Sequence, residues 1–184
     1  MTLAAIVLAA GSARRFGSDK LSAQLDGEPL VRHAIRAARS APVGQVIVVA
    51  RDGLAIGDWP GAPEVHRVSI VSDAMSASLK AGIAAAGEVD GAFVFLGDMP
   101  RIPHAVAGEL AQALGENWAA VPRHQGHAGH PVLLSARSFA EIKQLTGDAG
   151  AGKLLKQRDD VVYVDCDDPG VLFDVDRPQD LTRA

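Results

Sequence analysis

The chain holds a single cysteine, Cys166, among its 184 residues. No disulfide can form within it, and a lone thiol fits a reducing, cytoplasmic setting. It also lacks an excess of positive charge: 18 Lys and Arg stand against 22 Asp and Glu, a formal net charge of -4. That balance argues against a general binder of nucleic acid or of anionic membrane, which needs a basic surface. A long hydrophobic run is missing too. The apolar stretch from Leu3 to Ala10 is far too short to span a bilayer. No basic residue comes before it, as a secretory leader requires, so it reads as a first β-strand. No internal repeat, low-complexity segment or domain linker interrupts the chain. At this length the expectation is one domain over residues 1–184, long enough to bury a core.

What is present begins at the end of that run. Leu3–Ala10 leads straight into Gly11-Ser12-Ala13-Arg14-Arg15-Phe16-Gly17-Ser18-Asp19-Lys20. Glycines let backbone approach a ligand, main-chain amides donate to anionic oxygens, and Arg and Lys neutralise their charge. An acidic protein that binds an anion must gather its cations locally, and Arg14, Arg15 and Lys20 are such a gathering. The ordinary alternative is a strand-to-helix turn with solvated arginines. Two arginines, a lysine and two glycines right after a buried strand favour a polyphosphate site. The glycine spacing is neither that of a Walker A loop nor that of the dinucleotide G-x-G-x-x-G turn.

Apolar strand-like runs then alternate with helical periodicity. Strands are expected at Leu3–Ala10, Gln45–Ala50, Val68–Val71, Ala92–Leu96, Trp118–Val121 and Pro131–Leu134. A last central strand is expected at Val161–Val164. Helices are expected at Glu28–Ser40, Ser76–Ala86, His104–Leu114, Ala136–Leu145 and Ala151–Lys156, with a short one at Asp180–Arg183. Gly53–Pro63 reads as a loop or weak helix, and Arg123–His130 as a polar loop. Alternating units with nearly continuous apolar strands predict an α/β fold. It is a three-layer, doubly wound, mostly parallel sheet of Rossmann-like kind. Ligands of such sheets sit beyond the carboxyl ends of the strands, so Gly11–Lys20 and Gly97–Pro100 are expected to share one cleft.

Several further clusters carry possible chemistry. Asp98 follows a buried strand and faces the expected phosphate site, where a carboxylate can hold Mg²⁺; alone it reads as a turn cap. Asp174-Val175-Asp176 puts two carboxylates on one side of an extended segment. They complete a metal site with Asp98, or form a solvated acidic loop. Gly147–Lys153 satisfies G-x-x-x-x-G-K, but Leu154 stands where Ser or Thr would hold Mg²⁺, and the segment follows a helix. A glycine-rich turn opening a short helix is the better reading, and that helix start can receive an anionic part of a second substrate. His124, His127 and His130 lack a fourth ligand for zinc and read as a substrate-contacting loop. Ser76 and Ser78 are placed to cap their helix or to bond a ligand base.

Taken together these residues resemble the MobA-like nucleotidyltransferase family. The signature loop is matched by Leu8-Ala9-Ala10-Gly11 with Arg15-Phe16-Gly17 and Asp19-Lys20-Leu21, and the metal-binding turn by Gly97-Asp98-Met99-Pro100. Gly129-His130-Pro131-Val132 and Asp174-Val175-Asp176-Arg177-Pro178-Gln179-Asp180-Leu181 match later motifs in family order. Ala9-Ala10-Gly11 and Gly129-His130-Pro131 point to the cytidylyl branch. Gly152 departs from the pattern, since relatives often carry Arg there, and Lys153 is the nearest substitute.

The resemblance implies a nucleotidyltransferase fold and transfer of CMP from CTP to the terminal phosphate of molybdopterin, with Mg²⁺ and release of pyrophosphate. Arg15, Lys20 and Asp98 are implied as catalytic. Leu8, Ala9, Ala10, Gly11, Ser12, Arg15, Lys20 and Ser78 are implied as nucleotide-binding. Asp98, Asp176 and Asp174 are implied as metal ligands, and His130, Pro131 and Asp148 as acceptor contacts. Base choice falls to backbone at Leu8–Ala10 and to the region Val71–Ser78. A molybdoenzyme or its chaperone is the implied partner for the product; no nucleic acid and no membrane is expected. Three alternatives stay open: guanylyl transfer to the same cofactor, transfer to a sugar phosphate or other small acceptor, and a nucleotide-binding cofactor chaperone without turnover.

Overall fold

The computed structural model describes residues 1–11, 16 and 19–182. At its centre lie three parallel strands, β1 (Leu3–Ala9), β4 (Gln45–Ala50) and β6 (Gly91–Leu96). β1 pairs with β4 on one side, Ile6 opposite Ile47, and with β6 on the other, Ile6 opposite Val94. Their residues are apolar on both faces because both faces are covered. Leu3, Ala5, Val7 and Ala9 enter one core with α1 (Leu30–Ser40) and α3 (Val106–Ala113). Ala4 and Ile6 enter the opposite core with α2 (Met75–Ala86), α4 (Phe139–Ile142) and α5 (Gly152–Leu155). This is the three-layer, doubly wound, mostly parallel sheet that the sequence predicts. No helix among the described residues is long and apolar enough to cross a membrane.

The small strands β2 (Gln24–Leu25) and β3 (Glu28–Pro29) form a separate two-stranded ribbon before α1. The main sheet continues with β5 (Glu64–Ser69), β7 (Ala119–His124), β8 (His127–Ala128), β9 (Val132–Ser135) and β10 (Val161–Asp165). Its order is β10-β7-β9-β6-β1-β4-β5, with β8 paired to β7. β9 runs antiparallel between β6 and β7. The chain builds outward from β1 to β4 and β5, then crosses back to β6. The crevice beside β1 therefore lies where the winding reverses.

Several expected elements are corrected. β5 begins at Glu64 rather than at Val68. It is an edge strand in which only Val65 and Val68 turn toward the core, so it has no continuous apolar run. β10 is not central but the opposite edge, paired to β7 alone. The stretch Arg123–His130 is not simply a loop. Gln125 and Gly126, at φ 48 and 83, make a two-residue turn whose twist suits a hairpin between β7 and β8. The expected helix at Ala136–Leu145 breaks into a 3-10 turn at Ala136–Ser138 and the single turn of α4. The C-terminal helix is a 3-10 segment, Pro178–Thr182. Helix α1 starts two residues later than expected, at Leu30, because Glu28 and Pro29 belong to β3.

Candidate active site

The carboxyl ends of β1 and β6 set the geometry. After Leu96, the Gly97 amide donates to the Leu8 carbonyl at 2.9 Å. A Cβ on Gly97 would come within 3.1 Å of that oxygen, so glycine lets the turn lie against β1. Asp98 follows at the mouth of the crevice. From the far end of the chain, Val175 is fully buried and its amide donates to the Asp98 carbonyl at 3.0 Å. Burial of Val175 turns its two neighbours, Asp174 and Asp176, the other way. Carboxylate oxygens of Asp98, Asp174 and Asp176 thereby lie within 4.8 Å of one another.

Lys20 closes this cluster. Its Nζ is 2.7 Å from Asp98 Oδ2 and 3.8 Å from Asp176 Oδ1, and its side chain is only 12% exposed. Lys20 opens a 3-10 turn, Lys20–Ser22, that Leu21 pins to the core. Partial loss of water, together with Asp176 and Asp98, holds the Asp174 carboxyl above its ordinary pKa. Three hard oxygen donors at this spacing fit Mg²⁺ or Mn²⁺ by the chemistry of the donor set.

Two cavities meet here. The first, about 390 Å³, is lined by Leu8, Ala9, Gly11, Lys20, Ser78 and Asp98 among others. The second, about 350 Å³, is lined mainly by apolar groups, including Leu79, Val121, Val132, Leu155 and Tyr163, with His130, Lys153 and Lys156. Leu8, Met75 and Leu96 line both. The expected Lys20, Asp98, Asp174 and Asp176 come together. Leu8, Ala9, Gly11 and Ser78 line the first cavity, and Ala10 is buried behind them. Ser78 does not cap its helix; its Oγ donates back to the Ala74 carbonyl at 3.4 Å. Arg15 and Ser12, with Arg14, lie outside the described residues.

His130 lines the second cavity, and Pro131 is buried next to it. Asp148 is exposed and lines neither cavity, whereas Gly150, Ala151, Gly152 and Lys153 line the second. The other two histidines of the hairpin are engaged by main-chain carbonyls, His124 Nδ1 with Cys166 at 2.8 Å and His127 Nδ1 with Gln125 at 3.1 Å. Among the described residues the three aspartates are the only group disposed to hold a metal.

Sequence reasoning missed other residues of the site. Arg51 and Asp52, directly after β4, line the first cavity, and Asp73, inside the expected Val71–Ser78 region but not singled out there, lines it too. Their signal was positional: each sits beyond the carboxyl end of a parallel strand or before a helix start. Asp180 was also missed. Its Oδ2 accepts from the amides of Asp176 at 3.0 Å and Arg177 at 2.8 Å. An Asp four residues beyond Asp176 was the available clue.

A crevice at the winding reversal of a mostly parallel sheet, with a carboxylate cluster and a lysine at its mouth, is the setting of a nucleotidyltransferase fold. The sequence pattern of the MobA-like NTP transferase domain matches residues 5–161, and the chain belongs to that family. It is 30% identical over 192 residues to the purine catabolism protein PucB of Bacillus subtilis, covering 97% of this chain and 93% of that one. It is 32% identical over 139 residues to a probable molybdenum cofactor guanylyltransferase of Pyrococcus furiosus, covering 74% and 69%. Among solved structures it is similar to Rv0371c of Mycobacterium tuberculosis, at TM-score 0.85 and 26% identity over 100% of this chain and 96% of that one. The manganese complex of Rv0371c gives TM-score 0.80 at 25% identity, covering 100% and 97%.

Proposed function

We propose that this nucleotidyltransferase moves CMP from CTP to the terminal phosphate of a molybdopterin-type acceptor, with Mg²⁺, releasing pyrophosphate. One observation carries the reading. Lys20 and Asp98, which are paired with each other, line a first cavity for the nucleotide, and that cavity shares Leu8, Met75 and Leu96 with a second, mostly apolar one. The first cavity takes the NTP, with its base and ribose along Leu8, Ala9 and Ser78. The second takes the acceptor, its ring system against the apolar wall of Leu79, Val121 and Tyr163. The attacking group is a phosphate monoester, already largely ionised at pH 7 because its second pKa is about 6, so no general base is needed. The task of the protein is to bring two anions together.

Asp98, Asp174 and Asp176 would hold a divalent cation, which would supply positive charge to offset that on the phosphates. Lys20 offers its ammonium to the β- and γ-phosphates, joined by Arg15 and the amides of the Gly11 loop. A relative solved with manganese supports the metal assignment. The single free cysteine suits a cytoplasmic setting, and a molybdoenzyme or its chaperone is the natural taker of the product. The CTP choice rests on Ala9-Ala10-Gly11 and Gly129-His130-Pro131. Relatives named as probable molybdenum cofactor guanylyltransferases favour a second reading, in which GTP is the donor and the site is otherwise the same.

The test is pyrophosphate release with Mg²⁺ and molybdopterin, comparing CTP, GTP and ATP. Release with CTP is the expected result. Release with GTP instead selects the second reading, and binding without release removes the transferase reading for this acceptor.

A further inference from the structure

The His130 segment is held by two neighbours. Its main-chain amide donates to the Val171 carbonyl at 2.8 Å, and the Gly129 amide donates to the Pro122 carbonyl at 2.8 Å. Gly129 lies so close to Val171 that a Cβ there would collide with the Val171 carbonyl. The segment is therefore pressed between β7 and the 3-10 turn Pro169–Leu172. In this seat His130 Nδ1 lies 3.3 Å from the carbonyl oxygen of Val94, the last residue of β6 that pairs with β9. A carbonyl oxygen only accepts, so Nδ1 carries the proton. Burial holds the imidazole below its ordinary pKa, against the opposing pull of the Asp98 carboxylate, which favours the neutral ring with Nε2 a bare lone pair. Among the described residues nothing bonds Nε2, and it is not among their buried unpartnered atoms. His130 lines the second cavity, so among the described residues Nε2 has no protein partner to compete with what enters.

We propose that His130 is a specificity-determining residue of the second cavity: its unprotonated Nε2 accepts a hydrogen bond from an N–H or O–H of the acceptor and turns away an ionised phosphate. The inference rests on the second cavity being the acceptor site. It deepens that reading by fixing the acceptor's orientation. The end of the acceptor that meets His130 is a neutral donor, such as the N–H edge of a pterin. Its phosphate points the other way, toward Lys20 and the carboxylate cluster. A lone pair facing an ionised oxygen gains no hydrogen bond and meets repulsion, whereas an N–H donor pairs a polar atom that desolvation would otherwise leave unsatisfied.

The tautomer can be read directly by ¹⁵N NMR of the histidine-labelled full chain, titrated with 6-hydroxymethylpterin and separately with inorganic phosphate. The expected result is a protonated Nδ1 and an unprotonated Nε2 in the free protein, with the Nε2 resonance moved by the pterin and not by phosphate. A protonated Nε2 in the free protein, or a shift produced by phosphate, overturns the inference. That measurement on the free protein needs no acceptor, so it fails or holds independently of the pyrophosphate assay. His130→Asn keeps a donor for the Val94 carbonyl and removes Nε2. It is expected to raise the KM for the acceptor about tenfold, the loss of one hydrogen bond, and to leave the KM for the nucleotide unchanged. An unchanged acceptor KM counts against the proposal.

Discussion

Lys20 Nζ lies 2.7 Å from Asp98 Oδ2 and within reach of Asp176, so an ammonium group answers the charge of the carboxylate cluster in the ligand-free chain. On the proposed function the same ammonium is needed at the phosphates once nucleotide enters. A metal held by these carboxylates would then compete with Lys20 for the same oxygens until a triphosphate draws the lysine away. Lys20→Met is expected to bind Mn²⁺ more tightly than the native chain in the absence of nucleotide. Turnover should fall about 10²–10³-fold through loss of one charge-stabilising donor. Calorimetric titration with Mn²⁺ checks the first effect, and weaker Mn²⁺ binding in the variant would refute the competition.

Asp98 contributes to the fold through its backbone and to the site through its carboxylate. Val175 bonds its carbonyl oxygen, a contact that Asp98→Ala keeps. The variant is expected to fold with a near-native melting temperature and to lose turnover by at least about 10²–10³-fold. Circular dichroism and pyrophosphate release measure the two halves. Near-native turnover would remove Asp98 from the metal site.

Asp174 works against stability. Its folded pKa is raised, first by loss of water and then by Asp176 and Asp98. The folded chain therefore binds this proton more strongly than the unfolded chain does. Its favourable contribution is full below the unfolded value of about 3.9 and is lost as pH rises through the raised folded value. Asp174→Asn is accordingly expected to melt higher than the native chain at pH 7 without metal, with the difference closing as pH falls below about 4. Metal binding by the native chain should strengthen over the same rise in pH, since only the carboxylate ligates. Equal melting temperatures of variant and native chain at pH 7 would show that the cluster carries no such cost.

Asp180 touches no cavity yet holds Asp176 by its own amide and that of Arg177. Supporting groups of this kind commonly matter about 10–100-fold in metal affinity. Asp180→Ala is expected to weaken Mn²⁺ binding by that factor, and Asp180→Asn, which keeps an acceptor oxygen, to recover most of it. If both variants bind Mn²⁺ as the native chain does, the segment holds its shape without this contact.

The sequence revealed the centre of the molecule better than its edges. β1, β4 and β6 are covered on both faces, so burial imposes apolar runs that can be read directly. β5 and β10 are edge strands that expose four of six and two of five residues, and their pattern gave misplaced or misassigned elements. The carboxylate cluster was legible because Asp98 and the Asp174–Asp176 pair each follow a recognisable strand or extended segment. Asp148 was not, because its loop is placed by contacts with α2: the Gly147 carbonyl accepts from the Ser76 amide at 3.2 Å. Nothing in the local sequence shows that tie. Asp180 stood in a matched motif but received no role for a similar reason, since it bonds backbone rather than ligand.

Gly152 stands where relatives often carry Arg, and the structure gives this departure a physical test. A Cβ at Gly152 meets nothing within 4 Å, the residue opens α5, and the position lines the second cavity beside Lys153. A side chain can therefore begin there without a clash. Glycine is the poorer helix former by roughly 1 kcal/mol, so Gly152→Arg is expected not to destabilise the fold. The added guanidinium supplies a planar fork of donors for the oxygen and nitrogen acceptors of a pterin-like ring, whereas Lys153 offers only a point charge. The variant should lower the KM for the acceptor severalfold and leave the KM for the nucleotide unchanged. Steady-state kinetics against each substrate in turn measure both. A lowered nucleotide KM with no change for the acceptor would mean that this corner of the second cavity serves the triphosphate, and the division of the two cavities between donor and acceptor would have to be redrawn.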